Sequence, residues 1–390
     1  MDETRRQRRV FRTVTALIGG DAALFTLVIP ALPIFADQYD LSNAAVVLIF
    51  GVFPLTQLLT TFLIAGRIDR TGRRPVMIGG AAALLATTAG FALADSVPLL
   101  VLTRAAQGSA AALVWTAGIA AISDVYPQRN LAFRLGLAET VGGGIGLIGP
   151  VAGGALIEWV GTDEAFALAT VVPLVLLGMA LAVPETARPR GALPSLSEAL
   201  RRIGRQPEAR AGILALLGFA AILAVIDSLL PLDLDHRLEA STAAIGAVIG
   251  IGFLGLVIFA PIAGAWSDRH GRRAPLIAGG IVCAVSMPFV AVGPIWMVAL
   301  AFFVLGCGLA TLASPSSALI VKSADEAGMK GQYGVTSGII NLAFAAGYAL
   351  GPLLGAASAL AIPFSAMALA GAVLILACAL AAYRWLPPGT

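Results

Sequence analysis

Charged residues are scarce in this chain of 390 residues: Asp, Glu, Lys and Arg make up 12% of it, and hydrophobic residues 58%. Soluble domains carry about 25% charged residues. Too few charges are therefore present to cover the surface of soluble domains, and a disordered chain is excluded because such chains are poor in apolar residues. With a mean hydropathy of +0.91, the sequence indicates a protein whose solvent is the lipid bilayer.

Cysteine and histidine are also rare, with three cysteines and two histidines in the chain. Cys283, Cys307 and Cys378 all lie within apolar runs, so neither a disulfide framework nor a metal site is expected. His236 and His270 fall in predicted loops on opposite sides of the membrane. No catalytic cluster is visible, and the sequence predicts neither an enzyme nor a cofactor. The small net charge of +3 also gives no reason to expect a nucleic-acid partner.

Apolar runs long enough to cross a bilayer recur along the chain. A spanning helix needs about 20 apolar residues, and the basic N-terminus leads into a run too long for a signal peptide. Twelve spans are predicted, at residues 13–36, 44–65, 76–95, 97–122, 132–158, 164–183, 210–232, 242–266, 274–293, 295–321, 331–357 and 360–383.

Lys and Arg are unevenly distributed between the connecting loops. If both termini are cytoplasmic, 23 of the 25 basic residues lie on the cytoplasmic side, with Arg237 outside and Arg104 inside a helix. The positive-inside rule favours this orientation. The sequence therefore predicts an all-α, multi-pass protein of the cell membrane (inner or plasma membrane) with twelve transmembrane helices and cytoplasmic termini.

The second half of the chain repeats features of the first. Asp69-Arg70-Thr71-Gly72-Arg73 recurs 199 residues later as Asp268-Arg269-His270-Gly271-Arg272. Two six-helix bundles are therefore predicted, at 1–183 and 210–390, joined by a cytoplasmic linker at 184–209. Within the linker, Leu196, Leu200 and Ile203 have helical spacing, which indicates a short amphipathic helix on the membrane surface.

Three motifs in the first half resemble those of the major facilitator superfamily. Residues 65–75 resemble its motif A, and Arg104-Ala105-Ala106-Gln107-Gly108 resembles motif B. The run 142–154, in which seven of thirteen residues are glycine, resembles motif C of the drug:proton antiporters. Its characteristic positions are Gly146, Gly149, Pro150, Gly153 and Gly154. The resemblance implies the major facilitator fold and alternating access.

A narrower resemblance extends along most of the chain. Helix 1, from Gly20-Asp21 to Pro33, is similar to helix 1 of the vesicular monoamine and acetylcholine transporters, as are Gln57 in helix 2, Asp227 in helix 7 and Tyr348 in helix 11. Phe53 and Asn341 depart from those transporters, which carry ionisable residues there. The resemblance implies a prokaryotic, monomeric antiporter that exports small cationic or amphipathic molecules against protons. The alternative is a polyspecific exporter that also accepts neutral compounds.

Ionisable residues inside the spans are few, and each costs about 2.5–3.5 kcal/mol on insertion scales. Asp21 and Asp227 are expected to bind a cationic substrate or to carry the exchanged proton. Asp21 could instead be a structural partner of Arg104, and Asp227 a charge in a watery outer vestibule. Arg104 is expected to take part in proton coupling or in an ion pair. Glu139 is expected to act as a gate or to pair with Arg134.

Neutral residues complete the candidate set. Asn341 and Tyr348 share a face of helix 11, and the cavity wall is predicted to include Gln57, Phe50, Trp115 and Phe344. The motif C glycines are predicted to make a tight contact with helix 8. In motif A, Asp69 and Arg73 are predicted to form ion pairs at the cytoplasmic mouth, with Asp124 as a partner, and so to hold that side closed.

Overall fold

The computed structural model describes residues 3–65, 68–186, 196–329, 333–359 and 362–386, and all regular secondary structure in these ranges is helical. The helices are α1 Glu3–Leu27, α2 Leu32–Gln38, α3 Asn43–Ala65, α4 Ile68–Thr71, α5 Arg73–Ala92, α6 Val97–Val125, α7 Gln128–Gly146, α8 Ile148–Val160, α9 Thr162–Ala169, α10 Val171–Ala182, α11 Leu196–Ile203, α12 Pro207–Leu238, α13 Thr242–His270, α14 Arg273–Val290, α15 Ile295–Ala324, α16 Tyr333–Ala359 and α17 Phe364–Trp385.

Eleven helical segments in the described ranges are long and apolar enough to cross a membrane. The first joins α1 and α2 through a 3-10 turn, Ile29–Ala31, which contains Pro30. Two other segments combine α7 with α8 and α9 with α10, and a third extends α15 by a π-helical turn, Asp325–Met329. A further helix of 27 residues, α16, packs between α12 and α3. The membrane-spanning character is confirmed, whereas the count of twelve and the cytoplasmic termini stay predictions.

The two largest of three apolar clusters among the described residues hold the bundle together. One consists of residues from the first half of the chain alone, among them Val14, Met77 and Ile122. The larger core includes residues of both halves, such as Phe50 and Ile249. The halves meet where α3 packs on α16 and where α8 packs on α13. These contacts lie at the end of the bundle predicted to face outward, so that end is closed.

The predicted amphipathic helix of the linker is present as α11, and the described part of its apolar face packs on protein. Ala199 and Ile203 are fully buried in a cluster with Ile320, Met329 and Ile339, and Leu200 packs against it. For these residues the partner is the bundle and not the membrane surface that the spacing was expected to indicate. Helical spacing predicts an apolar stripe but cannot distinguish lipid from protein as its partner. The rest of the predicted linker, residues 187–195, lies outside the described residues.

Pro150 divides the fifth span, and a neighbouring side chain compensates. Proline has no N–H, so the carbonyl of Gly146 loses its helical donor. The hydroxyl of Thr26 lies 2.8 Å from that carbonyl oxygen and 2.9 Å from the carbonyl oxygen of Ala22, one turn earlier in its own helix. In a membrane the freed carbonyl needs such a donor, and α1 provides it.

Thr26→Val should therefore destabilise the protein by about 1–3 kcal/mol, the cost of leaving a buried acceptor without its donor. Valine keeps the shape and removes the hydroxyl. Thr87→Val is the matched control, because the Thr87 hydroxyl bonds only to carbonyls of its own helix. Equilibrium unfolding of both variants in detergent measures the difference. Equal losses would show that the bond between the helices contributes nothing.

Candidate functional site

Arg104 lies at the centre of the molecule and is enclosed by aromatic rings. Its guanidinium carbon is 4.9 Å from the ring centroids of Phe25 and Phe50 and 5.0 Å from that of Phe53. We call these three residues the ring cluster. A cation that faces aromatic rings at this distance is attracted to them. Only 1% of Arg104 is exposed, so the rings replace much of the water that the charge has lost.

The hydrogen bonds of Arg104 are incomplete. Its Nη1 donates to Gln107 Oε1 at 2.7 Å, whereas Nε and Nη2 are buried without a hydrogen-bond partner. Gln107 belongs to the same motif and is itself buried. Arg104 thus keeps two free donors in a nearly dry site. The position of Arg104 inside a span was predicted from the sequence, and the ring cluster was not.

Asp21 is hydrogen-bonded to Trp115 and not to Arg104, the partner that a structural ion pair would require. Its Oδ2 accepts a hydrogen bond from Trp115 Nε1 at 2.9 Å, and its Oδ1 is buried without a partner. Among the described residues, no hydrogen bond or ion pair joins Asp21 to Arg104, although the two charges interact through space. The alternative of a direct pair with Arg104 is therefore not observed.

Asp227 is fully buried in α12, so the alternative of an outer-vestibule charge surrounded by water does not hold here. The phenol of Tyr348 in α16 donates a short hydrogen bond to Asp227 Oδ2, and Oδ1 has no partner. The Tyr348 ring meets Phe25 edge-on at 5.8 Å. Phe25 therefore contacts both Arg104 and Tyr348, which links the two halves at the candidate site.

Phe25 is the residue that sequence reasoning missed. It lies four residues after Asp21 and so shares a face of α1 with it, which is a signal that the sequence does contain. Phe53 was noted only as a departure from the amine transporters, yet it belongs to the ring cluster. The site is thus more aromatic and less charged than the resemblance implied.

The remaining candidates lie on α3, α6 and α16, the helices that carry Phe53, Arg104 and Tyr348. Phe50 is fully buried in the ring cluster, and Trp115 is half-buried beside Asp21. Gln57 and Asn341 are half-buried, with no side-chain hydrogen bond to another described residue. Phe344 is 36% exposed and stacks on Tyr348 at 5.0 Å.

Glu139 does not pair with Arg134, the partner weighed from the sequence. The Arg134 guanidinium faces the ring of Tyr126 at 5.1 Å and that of Phe11 at 5.6 Å instead. Five residues along a helix correspond to 500° of rotation, so the two side chains point in different directions. Glu139 is half-buried in α7.

Arg73 of motif A and Asp124 form the predicted ion pair. Arg73 Nε lies 2.9 Å from Asp124 Oδ2, and their side chains are 2% and 0% exposed. The pair joins the start of α5 to the end of α6, both in the first half. The pair itself therefore does not bridge the halves in this conformation. The expectation that motif A ion pairs hold the cytoplasmic side closed while the cavity faces out stays a prediction.

Glu185, which the sequence did not single out, caps the same turn. Its carboxylate accepts the backbone N–H of Arg73 at 2.9 Å and of Arg74 at 3.2 Å. A carboxylate at a helix N-terminus satisfies free donors and opposes the helix dipole. Gly72 precedes the helix at φ +91, and a Cβ there would lie 2.6 Å from Glu185 Oε2, so the motif glycine serves both the turn and this contact.

The second copy of the motif is built differently. Asp268 and Arg269 are exposed and Arg272 is half-buried, and none of them has an ion pair among the described residues. Gly271 adopts φ +81, as Gly72 adopts +91. In the first copy, Asp69 and Arg70 lie on α4, and their side chains are outside the described part of the structure. The backbone turn is repeated and the buried pair is not.

The motif C residues contact two different helices. A Cβ at Gly149 would lie 2.3 Å from Ala23 O, one at Gly153 would lie 2.9 Å from Leu27 Cγ, and one at Gly146 would lie 3.0 Å from Ala22 Cβ. These glycines therefore pack on α1. The predicted contact with the eighth span, which is α13, is made by two other groups. A Cβ added at Gly154 would lie 2.5 Å from Thr242 O, and the carbonyl of Pro150 approaches Gly246.

The fold and the family are shown by comparison with known proteins. Residues 15–239 and 212–390 match the family model described as Major Facilitator Superfamily. A solved bacterial homolog of the human lysosomal transporter Spinster, in an inward-facing and unoccupied conformation, superimposes with a TM-score of 0.76 at 17% identity. The match covers 97% of each chain, and at this identity it shows the fold alone.

Two transporters are similar in sequence over part of their length. The MFS-type transporter ppzB of Metarhizium majus (strain ARSEF 297) is 32% identical over 165 residues, 41% of this chain and 36% of that protein. The multidrug transporter MdfA of Yersinia pestis bv. Antiqua (strain Angola) is 29% identical over 256 residues, 62% of each chain. Because the family model matches most of the chain and the fold agrees, this chain belongs to the Major Facilitator Superfamily, a family of transporters rather than enzymes.

Proposed function

We propose that the protein exports small cationic or amphipathic molecules across the cell membrane in exchange for protons, by alternating access. The observation that carries this proposal is the pair of buried carboxylates, Asp21 and Asp227. Each has one partnered and one unpartnered oxygen. They belong to opposite halves of the bundle, and the ring cluster lies between them through Phe25.

The charge balance of the site supports exchange. With both acids ionised, two negative charges face the one positive charge of Arg104, and a buried excess charge is costly. Either a proton or a cationic substrate would neutralise this excess. Occupation by one therefore disfavours the other, and such competition is the physical requirement for antiport.

The two acids are suited to different tasks. Trp115, the partner of Asp21, presents an aromatic face and an N–H that only donates. A carboxylate beside an aromatic face suits an ammonium group. Tyr348, the partner of Asp227, has a hydroxyl that donates and accepts and so can pass a proton on. We therefore assign substrate contact to Asp21 and proton exchange to Asp227.

The closed outer end supports alternating access. α8 and α13 approach each other at Gly154 and Gly246, and Glu158 Oε2 accepts the Ala243 N–H at 2.8 Å. Rocking of the two halves would open this end and close the other, which is what alternating access requires.

A polyspecific exporter that also takes neutral compounds is the second candidate. The aromatic wall, which comprises the ring cluster and Phe344, supports it because flat apolar molecules pack on such rings without needing a charge. The similarity to a protein named as a multidrug transporter points in the same direction.

Asp21→Asn should weaken binding of a cationic probe, such as tetraphenylphosphonium, roughly tenfold to a hundredfold. One charge-assisted contact contributes about 1.5–3 kcal/mol, and Asn is nearly isosteric. A neutral probe of the same shape should bind parent and variant alike. Equilibrium binding to the purified protein measures both affinities. Equal weakening of the charged and neutral probes would remove the cationic assignment and favour the polyspecific candidate.

A further inference from the structure

A cavity of about 230 Å³ lies at the predicted cytoplasmic end, away from the transport site. It is formed where the start of α1 meets the end of α6 and the first turns of α7. Its lining residues are Thr4, Gln7, Arg8, Phe11, Arg12, Tyr126 and Arg134. The predicted span begins at residue 13, so the cavity lies where the membrane meets water.

Among the described residues that line it, three are arginines and none is acidic. Arg8 and Arg12 are four residues apart and share a face of α1, where like charges repel each other. None of the three arginines forms an ion pair with a described residue. The positive-inside rule explains basic residues at this end, but it does not explain why three of them line one cavity without a carboxylate.

Arg134 is held in place rather than free in solvent. Its guanidinium stacks near the rings of Tyr126 and Phe11, at 5.1 and 5.6 Å from their centroids. Its Nε is buried and has no hydrogen-bond partner. Because the side chain also lines the cavity, an anion there would meet a positive charge that is already held in position.

The cavity wall is fixed by hydrogen bonds between α1 and the end of α6. Gln7 Nε2 donates to Val125 O at 2.9 Å, and the Tyr126 phenol donates to Gln7 O at 3.3 Å. Burial raises the pKa of Tyr126, while the charges of Arg134 and Arg8 act in the opposite direction. The phenol therefore stays neutral and adds no negative charge. An anion would therefore meet a wall that is already fixed, and only the exposed side chains of Arg8 and Arg12 would have to be ordered.

We propose that this pocket, defined by Arg8, Arg12 and Arg134, binds a phosphate-bearing anion. Guanidinium forks suit the paired oxygens of a phosphate group, and the volume accommodates a phosphate ester. The phosphate could belong to the headgroup of an anionic lipid or to a soluble ester, because the pocket lies at the water boundary. The proposal does not depend on the transport site.

The test compares three probes on the purified full-length chain: dioctanoyl phosphatidylglycerol, dioctanoylglycerol and glycerol 3-phosphate. Binding is followed by thermal unfolding as each probe is titrated. The pocket variant is Arg8→Gln/Arg12→Gln. The matched control, Arg5→Gln/Arg201→Gln, removes two exposed arginines outside the pocket.

Phosphatidylglycerol should stabilise the parent at concentrations at least about tenfold lower than dioctanoylglycerol. The pocket variant should lose about tenfold or more in affinity, the effect of one hydrogen bond to a charged group, and the control should lose little. Similar loss of glycerol 3-phosphate binding would identify a site open to soluble esters, whereas binding of phosphatidylglycerol alone would identify a lipid site. No preference for the phosphate probes in the parent, or equal losses in pocket and control variants, would overturn the proposal.

A second measurement uses the parent alone, so it does not depend on the folding of any variant. Added salt screens partly exposed charges. Affinity for the phosphate probe should therefore fall steadily between 50 and 500 mM salt, by roughly tenfold or more. An affinity that does not respond to salt would contradict recognition by the three arginines.

Discussion

Asp227→Asn should reduce the proton-driven accumulation of substrate to the level seen without a gradient. In our proposal the carboxyl of Asp227 takes up and releases the exchanged proton, and an amide cannot do so. Its hydrogen-bond partner Tyr348 and its burial are retained, and Asn keeps the shape of the side chain. The expected loss is therefore one of coupling, and the affinity for a cationic probe should change less than in Asp21→Asn.

The measurement uses proteoliposomes with an imposed inside-acidic gradient. The parent should accumulate substrate, and a protonophore should abolish this accumulation. Asp227→Asn should give the protonophore-treated level from the start, while still exchanging labelled for unlabelled substrate without a gradient. Accumulation by Asp227→Asn that remains sensitive to the protonophore would remove Asp227 as the proton carrier.

Tyr348→Phe tests whether the hydroxyl of Tyr348 contributes to proton transfer beyond the carboxyl of Asp227 itself. It keeps the ring that meets Phe25 and removes the hydroxyl that donates to Asp227. Coupled transport should slow and not disappear, because Asp227 can still titrate without a relay. Tyr383→Phe is the matched control, since Tyr383 lies in α17, where its ring faces Arg273 and not the transport site. An unaltered rate in Tyr348→Phe would show that the hydroxyl takes no part in proton transfer.

The family and the helical membrane architecture could be predicted because both depend on local sequence. Apolar runs give the spans, and motifs such as Asp69 to Arg73 recur at a fixed offset. Depth within a span can also be counted in residues, and Asp21, Arg104 and Asp227 are indeed buried. These features need no knowledge of which helices are neighbours.

Contacts between distant helices could not be predicted in the same way. The ring cluster around Arg104 joins residues of α1, α3 and α6, and ordinary aromatic packing was an equally good interpretation of each ring. Glu185 caps α5 across more than a hundred residues of sequence. The apolar stripe of α11 was correctly recognised, but its partner was not. In each case the sequence pattern indicates that a side chain or helix end needs a packing or hydrogen-bond partner, but it does not indicate which distant helix provides that partner.

The repeated motif provides a direct comparison of a buried and an exposed setting for the same residue type. Arg73 and Arg272 occupy equivalent positions in the two copies. Arg73 is 2% exposed and paired with Asp124, whereas Arg272 is half-buried and has no ion pair with a described residue. If sequence alone decided their contributions, the two arginines would be equivalent. The structure predicts that they are not.

Arg73→Gln should destabilise the protein by about 3–5 kcal/mol, because it removes one partner of a buried ion pair and leaves the charge of Asp124 in the interior. Arg272→Gln, the matched control, should cost less than about 1 kcal/mol, since an exposed or unpaired charge contributes little. Equilibrium unfolding in detergent measures both. The double variant Arg73→Gln/Asp124→Asn removes both charges and should recover part of the loss, which a purely additive cost would not allow. Equal losses in Arg73→Gln and Arg272→Gln would mean that the buried pair has no special role and that both arginines serve orientation in the membrane alone.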